Sequence, residues 1–93
     1  MTNINESWSV TIRHLAASRF YLPKELAFEE SIEAEKEYID YLHHNEFELA
    51  MEAADQMGIM NNAPNEFWRE LELAANNMGL ESEAKRFREI QIA

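Results

Sequence analysis

The chain has 93 residues, of which 18 are acidic and 8 are basic, so its formal net charge is −10. A chain of this length forms one modest core, and without cysteine it has neither disulfides nor thiolate metal sites to reinforce that core. The negative balance disfavours direct binding of nucleic acid or of an anionic membrane surface, because both need a basic patch. We therefore expect one domain over residues 1–93.

The first residues, MTNINESWSVTIRH, do not form a basic segment followed by an apolar run, so they do not resemble a secretory signal. No stretch of about 18 apolar residues is present that could span a membrane. These two observations predict a cytoplasmic protein.

The first two helices are predicted over residues 5–20 and about 24–42, separated by Pro23, which suits the first turn of a helix. Asn5 or Ser7 is the expected cap of the first helix. Its apolar spacing predicts a core face made of Trp8, Ile12, Leu15 and Phe20. At about 100° per residue, the second helix is expected to bury Phe28, Ile32, Ile39 and Leu42.

Three further helices follow from capping signals. Asn45 and Glu48 form the pattern of a capping box before a third helix that should end at Gly58, with Phe47, Ala50, Met51, Ala54 and Met57 facing the core. Asn65 should cap a fourth helix that ends at Gly79 and buries Phe67, Trp68, Leu71, Ala74, Ala75 and Met78, although the adjacent Phe67 and Trp68 should not both point fully inward. A fifth helix is expected over about 81–91, with Leu80, Ala84 and Phe87 inward.

No alternating β-branched run occurs, so the sequence predicts an all-α fold: a compact bundle of about five helices in a helical-hairpin arrangement. Two short segments are similar, AADQMGI at 53–59 and AANNMGL at 74–80. Shared helix-stop chemistry explains them if each glycine is the left-handed residue after a helix. Ancestry from a repeat is the alternative, but a spacing of 21 is too short for repeats built from helical pairs.

The acidic residues are concentrated between residues 25 and 55, where eleven occur with a single basic residue, Lys36. Most pairs three or four positions apart on the outer face of the second helix are like-charged, which costs a few tenths of a kcal/mol each. A plain solvated face is one interpretation of this window. The other, which we favour, is a partner-binding face made of Glu30, Glu33, Glu37, Asp40, Tyr41 and His44, with Glu48, Glu52 and Asp55 of the third helix beside them as one continuous surface.

Two kinds of chemistry compete with this interpretation. Carboxylate and histidine spacings around Glu33, Glu37, Asp40, His43 and His44 are reminiscent of di-iron bundles, but those ligands point into a bundle core, whereas these should face outward. No cysteine nucleophile, glycine-rich phosphate loop or serine elbow is present. We therefore expect no metal, no cofactor and no enzymatic activity.

Residues 37–58 and 64–87 together resemble the small helical immunity proteins of bacterial contact-dependent inhibition and related polymorphic toxin systems. The matching features are Tyr-x-x-x-Asn-Glu-x-x-Leu-Ala at 41–50, the Phe67-Trp68 pair and the Ala75-x-x-Met78-Gly79-Leu80 stop. They cover a little over half of the chain and describe packing and caps. The first 36 residues show no such resemblance.

The resemblance implies a protein that binds and neutralises a cognate toxin domain with a basic surface, often a nuclease. The charge window agrees with this expectation independently, because an acidic surface can occupy a site built for phosphate. A helical adaptor or regulatory module unrelated to toxins is the alternative. Five methionines and ten aromatic residues leave both a monomer and a weak homodimer through an exposed edge as expected states.

Overall fold

The computed structural model describes residues 4–92 of the chain, with side chains from residue 6 onward. Five helices follow one another: α1 (Ile4–Phe20), α2 (Glu29–His43), α3 (Phe47–Met60), α4 (Asn65–Asn77) and α5 (Glu81–Ile92). No strand occurs in this part of the chain, so the predicted all-α fold is confirmed. The cap predicted at Asn5 lies outside the described side chains, and Ser7 lies inside α1.

The helices pack in three main pairs around one core. α1 packs against α4, α2 against α3 and α4 against α5, while α3 also touches α1 and α4 and so joins the pairs. The molecule measures 43 × 31 × 18 Å, and its short dimension corresponds to about two layers of helices, each about 10 Å across. α2 therefore lies at the outside of the bundle, because α3 is its main support.

The core faces of α3, α4 and α5 agree with the apolar spacing. All five residues predicted for α3 are buried, as are Leu71, Ala74 and Ala75 of α4 and Ala84 and Phe87 of α5. The expectation that Phe67 and Trp68 cannot both be buried is wrong. The Phe67 ring lies against Gly58 of α3, while the Trp68 ring stacks on Phe87 with ring centres 5.9 Å apart. Two different neighbouring helices thus cover the two adjacent rings.

The predicted core faces of α1 and α2 need correction. Leu15 is buried, but Phe20 is 85% exposed and Ile12 is at the surface, while Thr11 and Ser18 are buried in their place. On α2, the buried strip consists of Ser31, Ala34 and Tyr38, whereas Phe28, Ile32 and Ile39 are exposed. Leu42 packs partly buried against the core.

The physical reason for the α2 correction is the shape of α3. The helix α3 offers alanines, among them the buried Ala50, Ala53 and Ala54, and small Ser31 and Ala34 let α2 approach that surface closely. The Ser31 hydroxyl accepts a hydrogen bond of 2.7 Å from the Asn61 side chain. Close packing and satisfied polar groups therefore outweigh the apolar area that burial of the isoleucines would offer.

The start of α2 also differs from the prediction, because residues 24–28 are not helical. Arg19 at the end of α1 donates hydrogen bonds from its guanidinium group to the carbonyl oxygens of Pro23 (3.0 Å) and Lys24 (3.1 Å). Leu22 is buried, and a residue before proline avoids the helical region. The segment is therefore bound to α1, and α2 begins at Glu29.

Three helices end in the same way. Asn45, Asn62 and Gly79 follow α2, α3 and α4, and their φ angles are 56°, 49° and 76°. In each case the next backbone N–H reaches a carbonyl five residues earlier, which is the Schellman arrangement. The three bonds are Glu46 to Tyr41 (2.9 Å), Ala63 to Gly58 (3.0 Å) and Leu80 to Ala75 (2.9 Å).

These ends correct three of the predicted caps. Gly79 is the left-handed stop that the sequence predicts, but Gly58 lies inside α3, which continues to Met60. Asn45 ends α2 and makes no side-chain cap for α3, so the capping box with Glu48 is wrong, and Asn65 is the first residue of α4. Asparagine can occupy the stop positions 45 and 62 because its short polar side chain tolerates positive φ.

Gly58 has a separate function in packing. A Cβ at this position would overlap the Phe67 ring, with the Cζ atom only 2.7 Å away. The glycine therefore allows α4 to place an aromatic ring directly on the α3 backbone. Of the two similar segments at 53–59 and 74–80, only the second ends a helix at its glycine. In the first, the glycine serves close packing between helices, so the similarity is not a repeated helix stop.

Candidate functional site: the exposed surface of α2

The carboxylates predicted for α2 do lie together at the surface. Glu30, Glu33, Glu37, Asp40 and His44 are all exposed, and their spacing places them on one side of the helix; we call this set the acidic flank. Lys36 lies on the outer crest of α2 and reaches only Glu33, at 3.4 Å. The acidic flank is therefore a strip of fixed negative charge on the outermost helix.

Charge compensation on this flank is slight. Asp40 lies 3.6 Å from the imidazole of His44, and within residues 4–92 neither Glu30 nor Glu37 has an ion-pair partner. Exposed pairs of this kind contribute little to stability. The charge of the acidic flank is thus left available to an external cation.

His44 closes α2 at one end of the acidic flank. Its Nδ1 lies 2.8 Å from the backbone oxygen of Asp40, and this hydrogen bond, helped by the Asp40 carboxylate, raises the pKa of His44 above its ordinary value. A protonated imidazole at the end of a helix also complements the helix dipole. Acidic pH therefore reduces the negative charge at this end of the flank.

Tyr41 does not lie among the exposed carboxylates. It is half-buried and packs against the core, and its backbone oxygen accepts the Glu46 N–H in the helix stop. Its predicted place among the outward-facing residues of the second helix is therefore corrected to a half-buried position against the core.

The carboxylates of α3 differ in their surroundings. Glu48 and Glu52 are exposed, whereas Asp55 forms a bidentate ion pair with Arg86 of α5, at 2.7 and 3.2 Å. By helical spacing they lie about 100° (Glu52), about 140° (Glu48) and about 160° (Asp55) around α3 from the buried Ala53. Asp55 is therefore neutralised within the fold, while Glu48 and Glu52 are exposed as predicted.

The other side of α2 carries apolar residues that the sequence assigned to the core. Phe28, Ile32 and Ile39 are 52%, 39% and 47% exposed, and we call these three the apolar flank. A shallow hollow lined by Ile39, Leu42 and His43 lies at its C-terminal end. The signal that could have revealed this flank is the second stripe at 31, 34 and 38, which has small residues and a tyrosine at helical spacing.

Among the described residues, two long side-chain contacts connect α2 to α1 on the side of the apolar flank. Arg19 donates to the Glu35 carboxylate, and the Tyr38 hydroxyl donates to the backbone oxygen of Leu15 at 3.0 Å. Burial raises the pKa of the Tyr38 hydroxyl to about 12, so it stays a hydrogen-bond donor at neutral pH. These bonds fix the rotation of α2 and thereby hold both flanks in place.

Metal binding gains no support from this arrangement. Among residues 4–92, no three histidine or carboxylate side chains converge as ligands of one ion would. His14, the histidine of α1, instead lies 2.7 Å from Glu70 of α4. What α2 does offer is fixed negative charge beside exposed apolar area, which is suited to association with another protein surface.

Within the described part of the chain, no helix combines the length and the apolar character that crossing a membrane requires. No protein-family model matches the sequence, and no curated protein and no solved structure matches it either.

Proposed function

We propose that this protein is an immunity protein that binds a cognate bacterial toxin domain with a basic surface, such as a nuclease, and neutralises it. The observation that supports this most directly is the acidic flank, where Glu30, Glu33 and Glu37 stand exposed and, among residues 6–92, only Lys36 forms an ion pair with any of them. A nuclease site is lined with cations for phosphate, and a strip of carboxylates can occupy such a site in place of nucleic acid.

The rest of the molecule is a useful contrast. Glu70 is bonded to His14, Glu72 to Arg88 and Gln91, and Asp55 to Arg86, so these three carboxylates are satisfied within the fold. Like charges held together on α2 cost stability, which a function in binding explains. Complementary charge would also accelerate association, toward about 10⁸ M⁻¹s⁻¹ at low salt.

The test is protection of living cells. The toxic domain, which the proposal expects in the gene immediately upstream, is expressed in a heterologous bacterium with and without this protein, and cells that express it should grow only when this protein is also present. Death in both cultures would contradict the proposal, and a gene with no toxin beside it would favour a helical adaptor.

A matched pair of variants tests the surface. Glu33→Lys with Glu37→Lys should weaken binding of the purified toxic domain by more than about tenfold and flatten its salt dependence, because opposite charge is lost. Glu81→Lys with Glu83→Lys, at the start of the charge-balanced helix α5, is the control and should bind normally. If the control loses the toxin and the α2 variant keeps it, the acidic flank is not the binding site.

A further inference from the structure

The apolar flank of α2 lies close to the acidic flank on the same exposed helix. The two flanks are separated by a crest that carries Glu29 and Lys36, and from Ile39 across this crest to Glu37 the arc is roughly 160°. Fifteen residues make α2 about 22 Å long, so the two flanks and the crest together cover only a few hundred Å². A standard interface buries about 800 Å² on each partner. A partner that covers one flank therefore reaches the other.

We infer that α2 is one docking surface with two halves, and that its partner has apolar side chains beside lysine or arginine side chains. The apolar flank supplies the water-excluding centre, and the hollow beside Ile39 offers a seat for an apolar anchor. The acidic flank supplies charge pairing and orientation. This inference rests on the proposed function in that the partner is the same basic protein.

Charge decides between this partner and a second copy of the chain. Residues 25–55 hold the whole net charge of −10, so two copies meeting through α2 would bring two strongly negative surfaces together. Like charges juxtaposed at an interface cost several kcal/mol. A surface that combines apolar and basic residues satisfies both flanks, whereas a second copy satisfies only the apolar one.

The experiment uses designed peptides as probes. One 18-residue helical peptide carries a leucine stripe beside a lysine stripe, and its counterpart has every leucine replaced by serine. Fluorescence anisotropy with the full-length protein at 0.15 M salt measures both affinities. We expect the leucine peptide to bind at least about tenfold more tightly, because only it covers the apolar flank.

Variants assign the binding to α2. In the variant Ile32→Gln with Ile39→Gln, the affinity for the leucine peptide should fall to that for the serine peptide. Glutamine is chosen because it keeps a good helix propensity. Ile59→Gln with Ile92→Gln, at the exposed isoleucines of α3 and α5, is the control and should change neither affinity. Glu33→Lys with Glu37→Lys should weaken the binding of both peptides.

Three results would overturn the inference. The first is equal affinity for the two peptides, and the second is an equal loss of leucine-peptide affinity in the Ile59 and Ile92 control. The third is a wild-type dimer in sedimentation that becomes a monomer in the Ile32 and Ile39 variant. The toxin-protection test is independent of these measurements. If protection fails while the peptide results hold, the immunity proposal is wrong and the docking surface stands. If protection holds while the peptides bind alike, the partner uses the acidic flank alone.

Discussion

The helices α2 and α4 have similar lengths and opposite uses of their large side chains. In α4, Phe67, Trp68 and Leu71 are buried, and the carboxylates Glu70 and Glu72 are bonded to neighbouring helices. In α2, the buried strip consists of small residues apart from Tyr38. Ile32, Ile39 and most of the carboxylates of α2 face outward, as does Phe28 immediately before the helix. α4 thus holds the core together, and α2 presents a surface.

This difference shows that an apolar stripe in a sequence indicates only that a helix has a face suited to burial. The neighbour decides whether that face is used inside the domain. α4 lies between α1 and α5, so its wide apolar face is covered, whereas α2 leans on the alanine surface of α3. The apolar residues left over on α2 are available to a partner.

The largest expected effect comes from a pair of phenylalanines, one inside α4 and one immediately before α2. Phe67→Ala should cost about 3–5 kcal/mol in the free energy of unfolding, because it empties a fully buried site. Phe28→Ala, at a half-exposed ring of the same type, should cost no more than about 0.5 kcal/mol. Urea unfolding of both variants measures the difference. Equal losses would show that Phe28 packs in the core and that the apolar flank is not a free surface.

The two glycines should respond for different reasons. Gly58→Ala should lose about 1–3 kcal/mol through overlap with Phe67, and combination with Phe67→Leu should recover part of that loss by making room. Gly79→Ala should lose about 1 kcal/mol because alanine resists its positive φ.

The control for Gly79 is asparagine, which already occupies the equivalent positions 45 and 62. Gly79→Asn should retain most of the stability that Gly79→Ala loses, as measured by thermal and urea unfolding. A Gly79→Ala protein as stable as the wild type would contradict the left-handed stop.

Tyr38→Phe tests what fixes the rotation of α2. Loss of the hydrogen bond to Leu15 should cost about 1 kcal/mol at neutral pH. The Tyr38 pKa of about 12 exceeds the value of about 10 in the unfolded chain, so the wild type loses stability as pH rises above 10. By pH 11 the advantage of the wild type over Tyr38→Phe should shrink by about 1 kcal/mol. A constant difference between pH 8 and 11 would contradict a buried, hydrogen-bonded hydroxyl.

The smallest effect concerns His44 at the end of the acidic flank. NMR titration should give His44 a pKa above the ordinary histidine value of 6.5, because His44 bonds the Asp40 carbonyl and lies near the Asp40 carboxylate. Its contribution to stability is present at acidic pH and is lost as pH rises through the raised pKa. Asp40→Asn should lower that pKa in part, since the backbone bond remains. A His44 pKa at or below the ordinary value in the wild type would contradict the geometry.

Much of the fold could be predicted because its signals are local. The five helices, the core faces of α3 and α5, most of that of α4 and the stop at Gly79 follow from apolar spacing and from residues that tolerate positive φ. The exposure of Glu30, Glu33 and Glu37 follows from charge on a helix face. Their role in binding remains a prediction, as does the resemblance to immunity proteins.

The tertiary structure decided the features that depend on a neighbour. The alanines of α3 and the Tyr38 bond to Leu15 determined which stripe of α2 is buried, because small residues allow close approach and a buried hydroxyl requires an acceptor. Arg19 delayed the start of α2 by binding the carbonyls of Pro23 and Lys24. Gly58 serves packing because Phe67 arrives from another helix, and no local signal distinguishes that use of glycine from a helix stop.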